Sequence, residues 1–163
     1  MGHNICAIIG QKNIKIDKIK EFALATAFEN EFAIVILDFD AMLYLGSKLS
    51  LNMDSESENI EWACELSFFI SKEIGMQKYA IIQTDYFGGM GDQCASLYED
   101  GKIVVKEKSI NEILKKLGVI NKEGLDEFDT LNLSEYRNSE YYYWDEHNWA
   151  EKKDNMIAGK ILK

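Results

Sequence analysis

The chain contains no proline in its 163 residues. Slow prolyl isomerisation is therefore excluded from its folding, and no loop is set by a pyrrolidine ring. Cysteine is sparse: Cys6, Cys64 and Cys94 are odd in number and far apart, which argues against a disulfide framework and offers no zinc spacing. Reduced, half-buried thiols are expected. The only histidines are His3 and His147, and no serine elbow or Cys–His pairing assembles around them. Neither a metal nor another cofactor is expected. Long apolar stretches are missing as well. The longest, Phe32 to Leu37, is strand-sized and far below the ~18–20 residues of a membrane span. Met1-Gly2-His3-Asn4-Ile5-Cys6 has no basic segment followed by an apolar core, so no signal peptide is read. A cytoplasmic location without a membrane partner is the expectation.

What is present is acid. Eighteen basic against twenty-eight acidic residues give a formal charge of −10, which disfavours nucleic acid as a direct ligand. The same charge favours solubility and electrostatically steered capture of a basic partner. Hydrophobic content of 47% with 12% aromatics is that of a globular chain. Its length fits one domain with a proper core.

The pattern predicts an α+β domain over residues 1–163. Ile5 to Ile9 reads as a first strand. Asp17 caps a helix through Ile19, Phe22, Ala23 and Thr26 that ends near Glu29-Asn30. Phe32 to Leu37, rich in β-branched residues, reads as a strand buried on both faces. Met42-Leu43-Tyr44-Leu45 resumes a strand up to Gly46. Ser55 with Glu58 forms a capping box for a helix from about Glu56 to Ile74, closed by Gly75. Tyr79 to Ile82 is a strand. Gln93–Glu99 and Lys102–Lys106 flank Asp100-Gly101, a type I′ hairpin signal that places Glu99 opposite Lys102. Ser109 and Glu112 open a further helix, closed by Gly118, and Met156–Leu162 returns as an edge strand. The expected sheet is mixed or antiparallel, with about five or six strands and the three helices packed on it.

Two stretches could carry chemistry. Val35-Ile36-Leu37-Asp38-Phe39-Asp40 is an apolar strand ending in paired carboxylates, a pattern suited to Mg²⁺ and phosphoryl chemistry. It resembles the first motif of the haloacid-dehalogenase phosphatases, with Asp38 as nucleophile and Asp40 as acid/base, and Gly91-Asp92 could stand as the later acidic motif. Met42 occupies a position where that family has Thr or Val, and no central Ser/Thr motif or catalytic lysine follows in order. A turn after the strand accounts for the two aspartates without any chemistry and is the favoured reading. The second stretch, Gly88-Gly89-Met90-Gly91, matches neither the dinucleotide fingerprint nor the P-loop, and a strand follows it instead of a helix N-terminus. A tight structural crossing between strands is the favoured reading.

Composition changes after Glu123. From there to Glu151 nine acids face one base, Arg137, with Phe128, Tyr136, Tyr141, Tyr142, Tyr143, Trp144 and Trp149 interleaved. Aromatics anchor interfaces while carboxylates complement a basic partner. The alternative is that Tyr141 to Trp144 cover the sheet as core.

The run Thr84-Asp85-Tyr86-Phe87-Gly88-Gly89-Met90-Gly91-Asp92-Gln93-Cys94-Ala95, followed by the Asp-Gly hairpin, resembles a recurrent family of small bacterial proteins. So does the opening Met1-Gly2-His3-Asn4-Ile5-Cys6-Ala7-Ile8-Ile9-Gly10. That family is associated with immunity proteins of polymorphic toxin systems, including contact-dependent growth inhibition. The resemblance implies a non-catalytic protein that binds a cognate toxin domain, a basic nuclease, and occludes its active site or substrate groove. The residues expected to make that contact are Asp126, Asp129, Tyr136, Glu140, Tyr142, Trp144, Asp145 and Glu146. The phosphatase using Asp38 and Asp40 is the enzymatic alternative, and a homo-oligomeric adaptor the structural one.

Overall fold

Phe32-Ala33-Ile34-Val35-Ile36 leaves no polar position for solvent, so a strand of this composition needs cover on both faces. The computed structural model, which describes residues 3–87, 90–137, 139–143 and 156–157, provides it. The chain runs β1 (His3–Gln11), α1 (Ile16–Glu21), β2 (Thr26–Glu29), β3 (Phe32–Ile36), α2 (Phe39–Leu49), α3 (Glu65–Ile74), β4 (Lys78–Phe87), β5 (Met90–Glu99) and β6 (Lys102–Lys108). It continues through α4 (Ile110–Leu117), α5 (Glu127–Thr130), a 3-10 turn at Leu133–Tyr136, α6 (Glu140–Tyr143) and β7 (Met156–Ile157). The strands form one sheet in the order β6-β5-β4-β1-β3-β2-β7, and every pairing is antiparallel. The two-residue β7 sits at the edge, where Met156–Leu162 was expected. The result is a single α+β domain.

Strand side chains alternate between faces, and the core divides accordingly. Ile5, Ala7, Ile9, Ile34, Ile36 and Ile82 pack on one side under α4 and the segment that ends in Tyr143. Ile8, Val35, Tyr79, Ile81 and Tyr98 pack on the other under α1, α2 and α3. Three layers result. Tyr143 ties the first side to the sheet centrally, because its hydroxyl donates to the Ile36 carbonyl and accepts from the Ala25 amide. All three cysteines are free; Cys6 and Cys64 are buried and Cys94 is half-buried.

Local signals explain what matches and what does not. Asp100 and Gly101 both take positive φ, 53° and 76°, and Glu99 pairs with Lys102 as a type I′ turn requires. Ser109 accepts from the Glu112 amide and Gly118 closes α4 with φ 111°. Three expectations are corrected. Residues 42–45 belong to a helix, not a strand, because the Asp38 carboxylate caps the amide of Ala41 and starts α2 there. The helix expected from Glu56 begins only at Glu65. Ser55 Oγ accepts from the Ser57 amide, and Ser57 Oγ from those of Asn59 and Ile60, so side chains hold the backbone in turns and compete with helix. The first helix stops at Glu21, since Ala23 turns into positive φ, and residues 26–29 pair as β2. Lys15, not Asp17, is its N-cap, and no side chain caps it.

Candidate partner-binding surface

Polar residues in and beside the glycine-containing run tie three segments to one hairpin. Thr84 is buried and its Oγ1 accepts from the Ile5 amide of β1 at 2.9 Å. Gln93 Oε1 accepts from the Ile110 amide at the start of α4, at 3.3 Å. Gln83 Oε1 accepts from the Glu61 amide at 2.6 Å. Phe87 pairs with Met90, so β4 and β5 are joined through positions 88 and 89, which lie outside the described residues. Gly91 lies hard against the partner strand: a Cβ there would stand 1.9 Å from the Asp85 carbonyl oxygen. Only glycine permits that approach.

This packing places Asp85 directly opposite Asp92, on the same face of the sheet. Neither carboxylate has an ion-pair partner among the described residues, and the sequence has no Lys or Arg from Tyr79 through Gly101. Both line a cleft of about 510 Å³ with Glu58, Asn59, Glu107 and Lys108. Glu107 is held below the usual carboxylate range by hydrogen bonds from Asn59 and Ser57. Glu61 is shifted the other way, first by burial and then by the charge of Asp85. A cleft of about 350 Å³ lies on the opposite face of the same hairpin end, lined by Thr84, Tyr86, Gln93, Asn111, Asp126 and Phe128.

The residues singled out in the acidic, aromatic region fare differently. Asp126 and Asp129 are exposed. Asp126 caps α5 through the Asp129 amide at 2.8 Å and accepts from Asn111 Nδ2 at 3.0 Å. Tyr136 and Tyr142 are not surface anchors: both are buried, their rings 6.2 Å apart. The Tyr136 hydroxyl bonds to Glu29 and that of Tyr142 to the Glu135 carbonyl. The alternative reading, core cover for the sheet, describes Tyr142 and Tyr143. Glu140 begins α6, and Trp144, Asp145 and Glu146 lie outside the described residues, as does His147.

Asp38 is buried, with Oδ2 on the Ala41 amide and Oδ1 accepting from Ser139 Oγ at 2.8 Å. Both oxygens are committed to protein donors, while Asp40 points outward from the first turn of α2. This geometry offers the phosphatase reading no support. No group of three or more metal-ligating side chains occurs among the described residues, and none of their helices is long and apolar enough to cross a membrane.

The Asp85–Asp92 pair has a signal in the sequence that no local motif announces. Folding the chain at Gly88-Gly89 as a two-residue hairpin puts the two aspartates in register, just as Asp100-Gly101 puts Glu99 against Lys102. Comparison with models of protein families, with curated proteins and with solved structures finds no match for this chain.

Proposed function

We propose that this chain is a non-catalytic immunity protein that captures a cognate toxin domain, a basic nuclease, and blocks its active site or substrate groove. The observation that carries this reading is the Asp85–Asp92 pair. Like charges directly opposite on a strand pair destabilise it, and no base within the described residues offsets them by an ion pair. Lysine or arginine side chains from a partner would supply the missing charge. A carboxylate surface of this kind also stands in for the phosphates of a nuclease substrate and accelerates association. The resemblance of the Thr84–Ala95 run to immunity proteins supports the same conclusion, and so does the overall charge of −10.

The reading requires a toxin-bearing secreted protein encoded immediately upstream. Co-expression of this chain with the C-terminal domain of that protein should restore growth, and the double change Asp85→Lys, Asp92→Lys should abolish protection while the domain stays folded. Metabolic genes in that position, or growth arrest that persists beside folded wild-type protein, would overturn it.

A further inference from the structure

We infer that the outward face of α2 is the apolar anchor of the same interface, and that its occupant is a lysine- and arginine-rich protein segment carrying one large apolar side chain. The inference rests on the immunity reading above and names the surface that the reading leaves open. α2 buries Ala41, Met42, Leu45 and Gly46 and turns the opposite stripe to solvent. On that stripe Phe39 is 53% exposed, Leu43 38% and Tyr44 43%. Three large apolar residues together on one helix face mark an interaction site more strongly than scattered ones do. Phe39 is also pre-positioned, since its ring rests against the buried Trp62 ring with centroids 5.9 Å apart. An anchor fixed in advance loses little side-chain entropy on binding.

Beside it lies a cleft of about 380 Å³ whose walls include Leu37, Phe39, Asp40, Glu61, Trp62 and Arg137. That volume is in the range of small ligand pockets and suits one large side chain. The two clefts adjoin, because Asn4, which lines this one, pairs across the sheet with Asp85, and the Glu61 amide is bonded to Gln83, which lines the other. An occupant seated on Phe39 therefore passes Asp40 and Glu61 on its way to Asp85 and Asp92.

Charge separates this face from a second exposed apolar site. Ile103 and Val104 on β6 are also half-exposed, but Lys102 and Lys106 flank them on an edge strand. Such lysines discourage edge pairing and repel a basic partner. The α2 face carries Asp40 and Lys48 and its cleft adds Glu61 and Arg137, so the face is balanced in charge and adjoins the acidic cleft of Asp85 and Asp92.

The test is a titration of isotope-labelled full-length protein, followed by amide and indole resonances, with a short arginine- and lysine-rich peptide bearing one central phenylalanine. Binding should shift the amides of Phe39 to Tyr44 and the Trp62 indole together with Asp85 and Asp92. Replacing the central phenylalanine by alanine, or changing Phe39→Ala in the protein, should weaken it by about tenfold or more, as for loss of an interface anchor. If only Asp85 and Asp92 respond and the central phenylalanine is irrelevant, the anchor is overturned while the acidic surface stands. If neither region responds, both readings fall. Concentration-dependent dimerisation without peptide, suppressed by Phe39→Asp, would assign the face to a second copy of this chain and overturn the inference.

Discussion

The half of the β4–β5 hairpin next to Asp100-Gly101 and the half next to positions 88 and 89 share one continuous antiparallel ladder, but their surroundings differ. In the first half Tyr79, Ala80, Ile81 and Ile82 face Tyr98, Leu97, Ser96 and Ala95, and all eight are buried. In the second, Met90, Gly91, Asp92 and Gln93 are exposed, and contact with the body of the domain is made by polar side chains. Hydrophobic burial holds one half, and a few hydrogen bonds hold the other. Each such bond contributes about 0.5–1.5 kcal/mol net, less than one buried isoleucine. The outer half is thereby free to carry groups chosen for something other than stability, among them two aspartates with no ion-pair partner among the described residues.

Removing a side chain from the inner half should have the largest effect. Ile82→Ala takes a fully buried residue out of the face covered by α4, and truncations of this kind cost about 2–5 kcal/mol. Denaturant unfolding should show a midpoint lowered throughout the domain, with probes on both faces moving together. An intact midpoint would mean that the inner half is not the structural part.

Gly91→Ala should cost less and act locally. The added Cβ collides with the Asp85 carbonyl, and overpacking of this sort costs about 1–3 kcal/mol. The outer ladder can open without exposing the core, so the expected signature is faster amide exchange at Thr84 to Tyr86 and Gly91 to Gln93, with Tyr79 to Ile82 still protected. Uniform loss of protection along both strands would show one cooperative unit and dissolve the distinction between the halves.

The same contrast accounts for what the sequence disclosed. Elements fixed by local chemistry were legible: Asp100-Gly101 needs two positive φ values, and Ser109 with Gly118 marks both ends of α4. The strand run Phe32–Ile36 was legible because burial on both faces leaves it continuously apolar. The segment from Met42 to Leu45 is ambiguous in the sequence because four apolar residues suit a strand or a helix, and only the capping bond from Asp38 decides. Ser55 to Ile60 is ambiguous in the sequence because a capping pattern and a chain of side-chain turns use the same residues. At the site, Tyr136 and Tyr142 carry an aromatic signal that does not distinguish core from interface. Asp85 and Asp92 stand seven positions apart, and only the register through Gly88-Gly89 makes them neighbours.

The smallest effect should have the opposite sign. Asp92→Asn keeps the shape of the side chain and removes one of two like charges directly opposite each other, so the isolated domain should gain roughly a few tenths of a kcal/mol. The gain should shrink as salt is added, because both groups are exposed and screening at ~0.1 M acts over about 10 Å. Denaturant midpoints at low and high salt measure it directly. If no partner uses the aspartates, the substitution is a pure improvement. If they are kept for a basic partner, the stabilised variant should bind the basic peptide more weakly and with a slower on-rate, since the charge that destabilises the free hairpin is the one that steers association. A variant that is less stable than wild type at low salt would show that the pair is already neutralised within the chain, and the comparison between the two halves would lose its functional meaning.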